Sequence, residues 1–197
     1  MNKRTFSTKE IVVIGMFSAI STVLMLLDFP LPFAPSFYKF DFSELPALIA
    51  GFAYGPVAGV MVELIKVLLK LLFKGTSTAF VGEIANFIIG CGLILPASII
   101  YRFKKTKKTA VISCLAGTLT ITLVGSLLNA FYLIPAFAKL YGMPIEAIVE
   151  IGTKINPAIT SISSLVLMCV VPLNLLKGVA VSLITILVYK HISHLIK

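Results

Sequence analysis

Ionisable and amide side chains recur at helical spacing inside strongly apolar runs. Glu63 is three residues before Lys66, with Lys70 one turn further; Glu83 precedes Asn86, Asn129 precedes Tyr132, and Asn174 precedes Lys177 by the same interval. Residues three apart share a helix face, so each pair makes a short polar patch on an otherwise apolar rod. Carboxylates accept hydrogen bonds, ammonium groups donate them, and carboxamides do both, so the chemistry on offer is recognition of a polar ligand. A charge near the centre of a bilayer costs about 2.5–3.5 kcal/mol, so each patch requires a partner or a polar chamber. Two plainer readings stand beside that one: Glu63 and Lys66 as an intrahelical ion pair facing the bundle interior, and Asn86 and Asn129 as hydrogen-bond links between helices. Lys177 is harder to dismiss, because no acid lies within a turn of it and snorkelling from mid-span is strained.

The elements that must position these groups are membrane helices. The 197 residues are 58% hydrophobic and 13% charged, with a mean hydropathy of +1.04, far from the balance of a soluble domain. Counting about 20 apolar residues per crossing predicts an all-α integral membrane protein, a bundle of six transmembrane helices in a single domain over 1–197. The spans fall at about 10–27, 44–54, 56–73, 80–102, 109–134 and 172–190, with Pro135 ending the fifth and Pro172 breaking or kinking the last apolar run. Residues 157–171 are either the outer part of the sixth helix or a separate surface segment. A polar stretch carrying Lys139, Glu146, Glu150 and Lys154 reads as a helix lying on the surface.

The formal charge of +9 follows the ends of the apolar runs instead of lining one soluble face, so bilayer orientation explains it better than nucleic-acid binding. Lys3, Arg4, Lys9, the basic loop at 102–108, Lys190 and Lys197 fall on one side; Lys39, Lys74, Lys139 and Lys154 fall on the other. The first side is therefore expected to be cytoplasmic, with both termini on it. Lys70, Glu83, Asn129 and Asn174 then lie in the outer halves of their helices, and they are expected to share one outward-opening pocket. A pocket with apolar and aromatic walls and a few polar groups suits an uncharged ring system bearing several hydrogen-bonding atoms.

The stretch KFDFSELPALIAGFAYGP, residues 39–56, opens with a helix-start signal. Ser43 is placed to cap, Glu44 to meet the helix dipole, and Pro46 to occupy the first turn. Six aromatics precede it, Phe29, Phe33, Phe37, Tyr38, Phe40 and Phe42, in a connection spanning 28–43. It reads as a lid or stacking wall over the pocket, or else as an interfacial belt of unusual composition, since belts favour Trp and Tyr and this chain has no Trp. Gly15 and Ala19, then Ala47, Gly51, Gly55 and Gly59, place small residues four apart, the pattern that lets helix backbones approach, within the bundle or, on the first helix, toward another membrane protein.

Enzymatic signatures are missing. KGTST at 74–78 lacks the earlier glycine and the strand of a phosphate-binding loop, and neither H-E-x-x-H nor G-x-S-x-G occurs. Cys91, Cys114 and Cys169 sit singly in apolar runs as reduced thiols, and His191 with His194 has no further ligand nearby, so no metal site is expected. No small-x-small cleavage site follows the first apolar run, which reads as a span and not as a removed signal.

The segment F-D-F-S-E-L-P-A-L-I-A-G-F-A-Y-G-P from Phe40 to Pro56, the G-E-I-A-N-F block from Gly82 and the P-L-N-L-L-K-G block from Pro172 closely resemble the riboflavin-binding S components of energy-coupling factor (ECF) vitamin transporters, the RibU family. The resemblance covers essentially the whole chain. It implies a non-enzymatic protein of the bacterial plasma membrane that captures riboflavin, its transported ligand and not a cofactor, from outside. It also implies partners: a transmembrane coupling subunit and two cytoplasmic ATPases. By position it places the vitamin against Asp41, Ser43, Glu44, Leu45, Glu83, Asn86, Asn129, Tyr132, Asn174 and Lys177, and docking of the coupling subunit at Gly15 and Ala19, where the family's A-x-x-x-A begins instead with glycine. A self-sufficient secondary transporter of a small aromatic metabolite, coupled to protons through Glu63 or Glu83, is the alternative.

Overall fold

The computed structural model describes residues 7–192, with backbone only from 189 onward. Lys3, Arg4, His194 and Lys197, used above for orientation or weighed as ligands, lie outside the described residues, as do the side chains of Lys190 and His191. The chain is helical nearly throughout: α1 Thr8–Leu26, α2 Glu44–Tyr54, α3 Pro56–Lys74, α4 Val81–Phe103, α5 Lys107–Leu128, α6 Ile134–Leu140, α7 Ile145–Thr153, α8 Ile162–Leu165 and α9 Val171–Ile192. One small antiparallel pair, β1 Phe29–Pro30 and β2 Lys39–Phe40, closes the loop between α1 and α2.

Two of the long helices, α1 and α5, start where a side chain supplies the cap. Ser7 and Glu10 form a reciprocal capping box ahead of α1, and the Thr106 side chain accepts from the Thr109 N–H ahead of α5. Gly55, at φ 97°, both ends α2 and opens α3, and Pro56 fits as the first residue of α3. Large aliphatic side chains line the outer, lipid-facing sides of the rods: Leu68, Leu72, Leu119, Leu123 and Leu187 all stand open to the surroundings.

Among the described residues, four continuous helical rods have the length and apolar composition to cross a membrane: Thr8–Leu26, Val81–Phe103, Lys107–Leu140 and Ile162–Val188. The all-α membrane architecture is thus seen. The count of six spans is not: α2 has 11 residues, about 16 Å at 1.5 Å per residue, against about 30 Å of hydrocarbon. α3 is long enough, but carries Glu63, Lys66 and Lys70 along its length.

Two boundaries differ from the sequence reading for one reason. Pro135 does not end the fifth helix, and of the break or kink expected at Pro172 the break is excluded, because the rod runs on through it. Each follows a π turn, Asn129–Leu133 and Val166–Val170, that joins α5 to α6 and α8 to α9. Proline lacks an N–H, and its ring crowds the carbonyl four residues back. A π turn shifts the bonding by one residue, as in the Ile134 N–H to Asn129 carbonyl bond, and widens the helix just before the ring arrives. Residues 162–171 consequently belong to the last rod, while 157–161 stay outside it.

Glycine sets the closest approaches. A Cβ on Gly59 would stand 2.6 Å from Ile94 of α4 and 3.0 Å from the Ala47 carbonyl of α2, and one on Gly117 would stand 2.7 Å from the Leu93 carbonyl. α2, α3, α4 and α5 therefore pack almost backbone to backbone. Gly15 is different: it and Ala19 are exposed, and nothing lies within 4 Å of a Cβ placed on Gly15. That small-residue face is turned away from the bundle, whereas Ser18, Ser21 and Thr22 on the opposite side are buried.

Candidate ligand site

The aromatic loop is a folded cap. Phe29 pairs with Phe40 across the two-stranded ladder, with ring centroids 5.5 Å apart, and Phe40 meets Phe42 edge-on at 5.1 Å. Phe33 and Tyr38 pack on a cluster built from Ile134, Ala138, Ile148, Ile159 and Leu165, which ties the loop to α6, α7 and α8. Burial pushes the Tyr38 phenol far above its ordinary range, so it remains a neutral donor. At the loop's base, Asp28 accepts from Lys39 at 3.1 Å and lies 3.7 Å from Lys74.

Where this loop enters α2, it carries acids into the interior. Asp41 Oδ1 accepts from the Ser43 N–H at 2.8 Å, and its other oxygen lies 3.2 Å from Lys177 Nζ. Lys177 also lies 2.8 Å from Glu44, and Lys66 lies 3.3 Å from Glu44 while pairing with Glu63 on its own helix. Lys66 further donates to Ser43 Oγ at 2.9 Å, and the Ser43 carbonyl accepts from Ser21 of α1 at 2.8 Å. Ser43 is therefore not the side-chain cap that its position suggests: its hydroxyl serves Lys66 and makes no capping bond. Burial alone would raise the Asp41 carboxyl, but Lys177, then Lys66, and the Ser43 bonds outweigh it and hold the group below the usual carboxylate range.

A second grouping forms at the start of α4. Glu83 accepts from Lys70 at 2.6 Å, from Thr76 at 3.0 Å and from Thr78 at 2.9 Å. This is the role of the KGTST stretch. Ala79 and Phe80, both at positive φ, turn the chain sharply into the helix, a conformation that non-glycine residues seldom adopt. A third grouping sits at the π turn of α5. The Asn129 amide donates to the Gly125 carbonyl at 2.7 Å, and the Asn174 side chain occupies the space over Gly125 while donating to the Val170 carbonyl at 3.0 Å.

The sequence-predicted residues are thus placed as follows. Asp41, Ser43, Glu44 and Lys177 come together, with Lys66 among them; Asn129 and Asn174 converge on Gly125, and Asn174 lies three residues from Lys177 on α9. Glu83 points instead to Lys70, so Glu83, Asn129 and Lys177 each have a different immediate neighbour. Leu45 is half-buried against the Leu48, Phe52 and Leu93 cluster, and Tyr132 is 46% exposed. The Oδ1 atoms of Asn86 and Asn129 are buried with no hydrogen-bond partner. The Lys66 crosslinks, Thr76, Thr78 and Ser21 were not singled out by spacing, because their partners come from other helices or the loop. Two clefts lie away from these residues: one of about 490 Å³ between α7 and the 159–162 segment, and one of about 240 Å³ among Glu10, Tyr54, Ser98 and Arg102.

An all-α membrane protein whose interior carboxylates and amines are tied to a folded aromatic loop, with buried amides on the neighbouring helices, has the character of a binding and transport component. The chain belongs to the family described as the substrate-specific component of ECF transporters, whose model matches residues 9–189. That family is a transport component and not an enzyme. The chain is 37% identical over 189 residues to the riboflavin transporter RibU of Staphylococcus aureus strain TCH60, covering 96% of this chain and 93% of that one. It is 35% identical over 182 residues to the riboflavin transporter FmnP of Bacillus subtilis strain 168, covering 92% and 90%. A solved structure described as the S component of a bacterial ECF transporter superposes with a TM-score of 0.73 at 35% identity, covering 96% of this chain and 98% of that chain.

Proposed function

We propose that this chain is the riboflavin-capturing subunit of an ATP-driven ECF importer, binding the vitamin from outside and delivering it inward. The observation that carries the reading is kinship with two riboflavin transporters along more than nine-tenths of the chain. The tricyclic ring is placed between the aromatic loop and the apolar walls, where burial of aromatic area supplies most of the affinity. Asn86 and Asn129, whose Oδ1 atoms lack partners, accept from the ring's imide or the ribityl hydroxyls, and Asn174 and Lys177 donate to ring carbonyls or hydroxyls. Glu83 and Tyr132 stand at the edge of this arrangement. Asp41, Ser43, Glu44 and Leu45, at the root of the loop, link ligand engagement to loop position.

In this reading the chain is one membrane domain of the bacterial plasma membrane. It has six membrane helices, α2 and α3 joining the four apolar rods, and both termini are cytoplasmic. A transmembrane coupling subunit docks at the exposed Gly15–Ala19 face, and two cytoplasmic ATPases supply the energy. Membership in a family of substrate-specific components disfavours the self-sufficient secondary transporter. The test is the visible spectrum of the chain purified without added ligand. The yellow absorption of an oxidised flavin, released on denaturation as riboflavin, is expected; a colourless preparation that takes up no riboflavin on incubation contradicts the proposal.

A further inference from the structure

The interior network has an unequal charge count. Asp41, Glu44 and Glu63 supply three carboxylates, and Lys66 and Lys177 supply two ammonium groups; all five are 6% exposed or less. Lys70 does not redress the difference, because it is paired with Glu83. A lone buried negative charge is strongly unfavourable, and a carboxylate in that position takes up a proton instead.

The geometry points to Glu63 as the carboxyl that holds it: we infer that this chain carries a resident proton on Glu63 when the rest of the network is ionised. Glu44 is bridged by both lysines, and Asp41 has Lys177 and the Ser43 N–H. Glu63 has Lys66 alone, and its Oε2 is buried without a hydrogen-bond partner. The groups facing it are few. Lys66 is on α3 itself; Glu44 of α2 shares that lysine; Lys177 of α9 and Asp41 of the loop complete the charges; α4 offers Gly90, whose missing side chain makes room for the carboxyl, and the Cys91 thiol. The face that α1 turns inward offers hydroxyls, Ser18, Ser21 and Thr22, and no charge among the described residues. An unpartnered neutral carboxyl is a smaller cost than an unpartnered carboxylate, and with one proton the network is electroneutral.

Infrared difference spectroscopy tests this on ligand-free protein at neutral pH, comparing the unaltered chain with Glu63→Gln. The carbonyl stretch of a protonated carboxyl is expected in the unaltered chain and absent from the variant. Because glutamine is neutral and nearly isosteric, riboflavin affinity should stay within about twofold, a free-energy change below about 0.5 kcal/mol. No such band in the unaltered chain, or a band that survives in Glu63→Gln, overturns the inference. If the variant does not accumulate, the unaltered chain is grown with glutamate labelled with carbon-13 at Cδ. A band that moves with the label in the unaltered chain and no longer moves with it in Glu63→Asp supports the inference; one that fails to move in the unaltered chain, or still moves in Glu63→Asp, overturns it. The infrared result stands whether or not riboflavin binds, so failure here and failure of the riboflavin reading are separable.

Discussion

Lys177 gathers two carboxylates that reach it from the opposite end of the sequence, Asp41 at 3.2 Å and Glu44 at 2.8 Å. Removing one partner of a buried ion pair costs about 3–5 kcal/mol, because the other charge is left uncompensated. Lys177→Met should therefore lower thermal stability markedly and, in protein that still folds, weaken riboflavin binding by about 100-fold or more, about 2.7 kcal/mol; calorimetric melting and ligand titration read the two effects. Asp41 adds a pH dependence with a definite sign. Its folded carboxyl titrates below the ordinary range, so its contribution is complete above the unfolded value of about 3.9 and is lost only as pH falls through the lower folded value. Asp41→Asn should accordingly flatten the acid limb of the melting profile while leaving a lower plateau at neutral pH. At this scale the sequence showed which residues were out of place in a membrane, since Glu63, Lys66, Lys177 and the asparagines stand out against their apolar neighbours. It did not show how they pair. The Glu63–Lys66 contact is three residues long and legible; Lys177 appeared free of acids because Asp41 lies 136 positions away.

Close backbone packing governs the elements. Gly117 lets α5 lie against the Leu93 carbonyl of α4, a backbone atom that cannot swing aside. Gly117→Val should separate the two helices at a cost of about 1–3 kcal/mol, a fall of about 2–12 °C in melting temperature for a chain of this size. Gly15→Leu, on the open face of α1, should leave both stability and riboflavin affinity unchanged and instead weaken co-purification with the coupling subunit. A loss of ligand binding in that variant would count against an outward docking role. The long apolar rods were readable from composition, because crossing a bilayer demands an uninterrupted run. The π turns were not: a proline reads as a helix end by its missing N–H, and only the geometry of Asn129–Leu133 and Val166–Val170 reveals how Pro135 and Pro172 are accommodated. The helix start at Glu44 was placed correctly, yet the Ser43 hydroxyl was assigned to the wrong partner, since nothing local announces Lys66.

Over the whole molecule, Asp41 and Glu44 at the root of the aromatic cap reach Lys177 of α9, and Asn174, three residues before it on the same helix, lies over Gly125, whose carbonyl accepts from Asn129. The aromatic loop and the last helix are thereby locked to each other by charge. Under the proposed function, riboflavin captured at this junction would account for the polarity maintained inside an apolar bundle. The most direct test is equilibrium dialysis of purified, ligand-stripped protein against riboflavin, with Lys177→Met and Asn129→Ala alongside. The account predicts saturable binding of one riboflavin per chain with a dissociation constant below about 1 µM, weakened at least tenfold in both variants. Absence of saturable binding, or unchanged affinity when both side chains are removed, would contradict it.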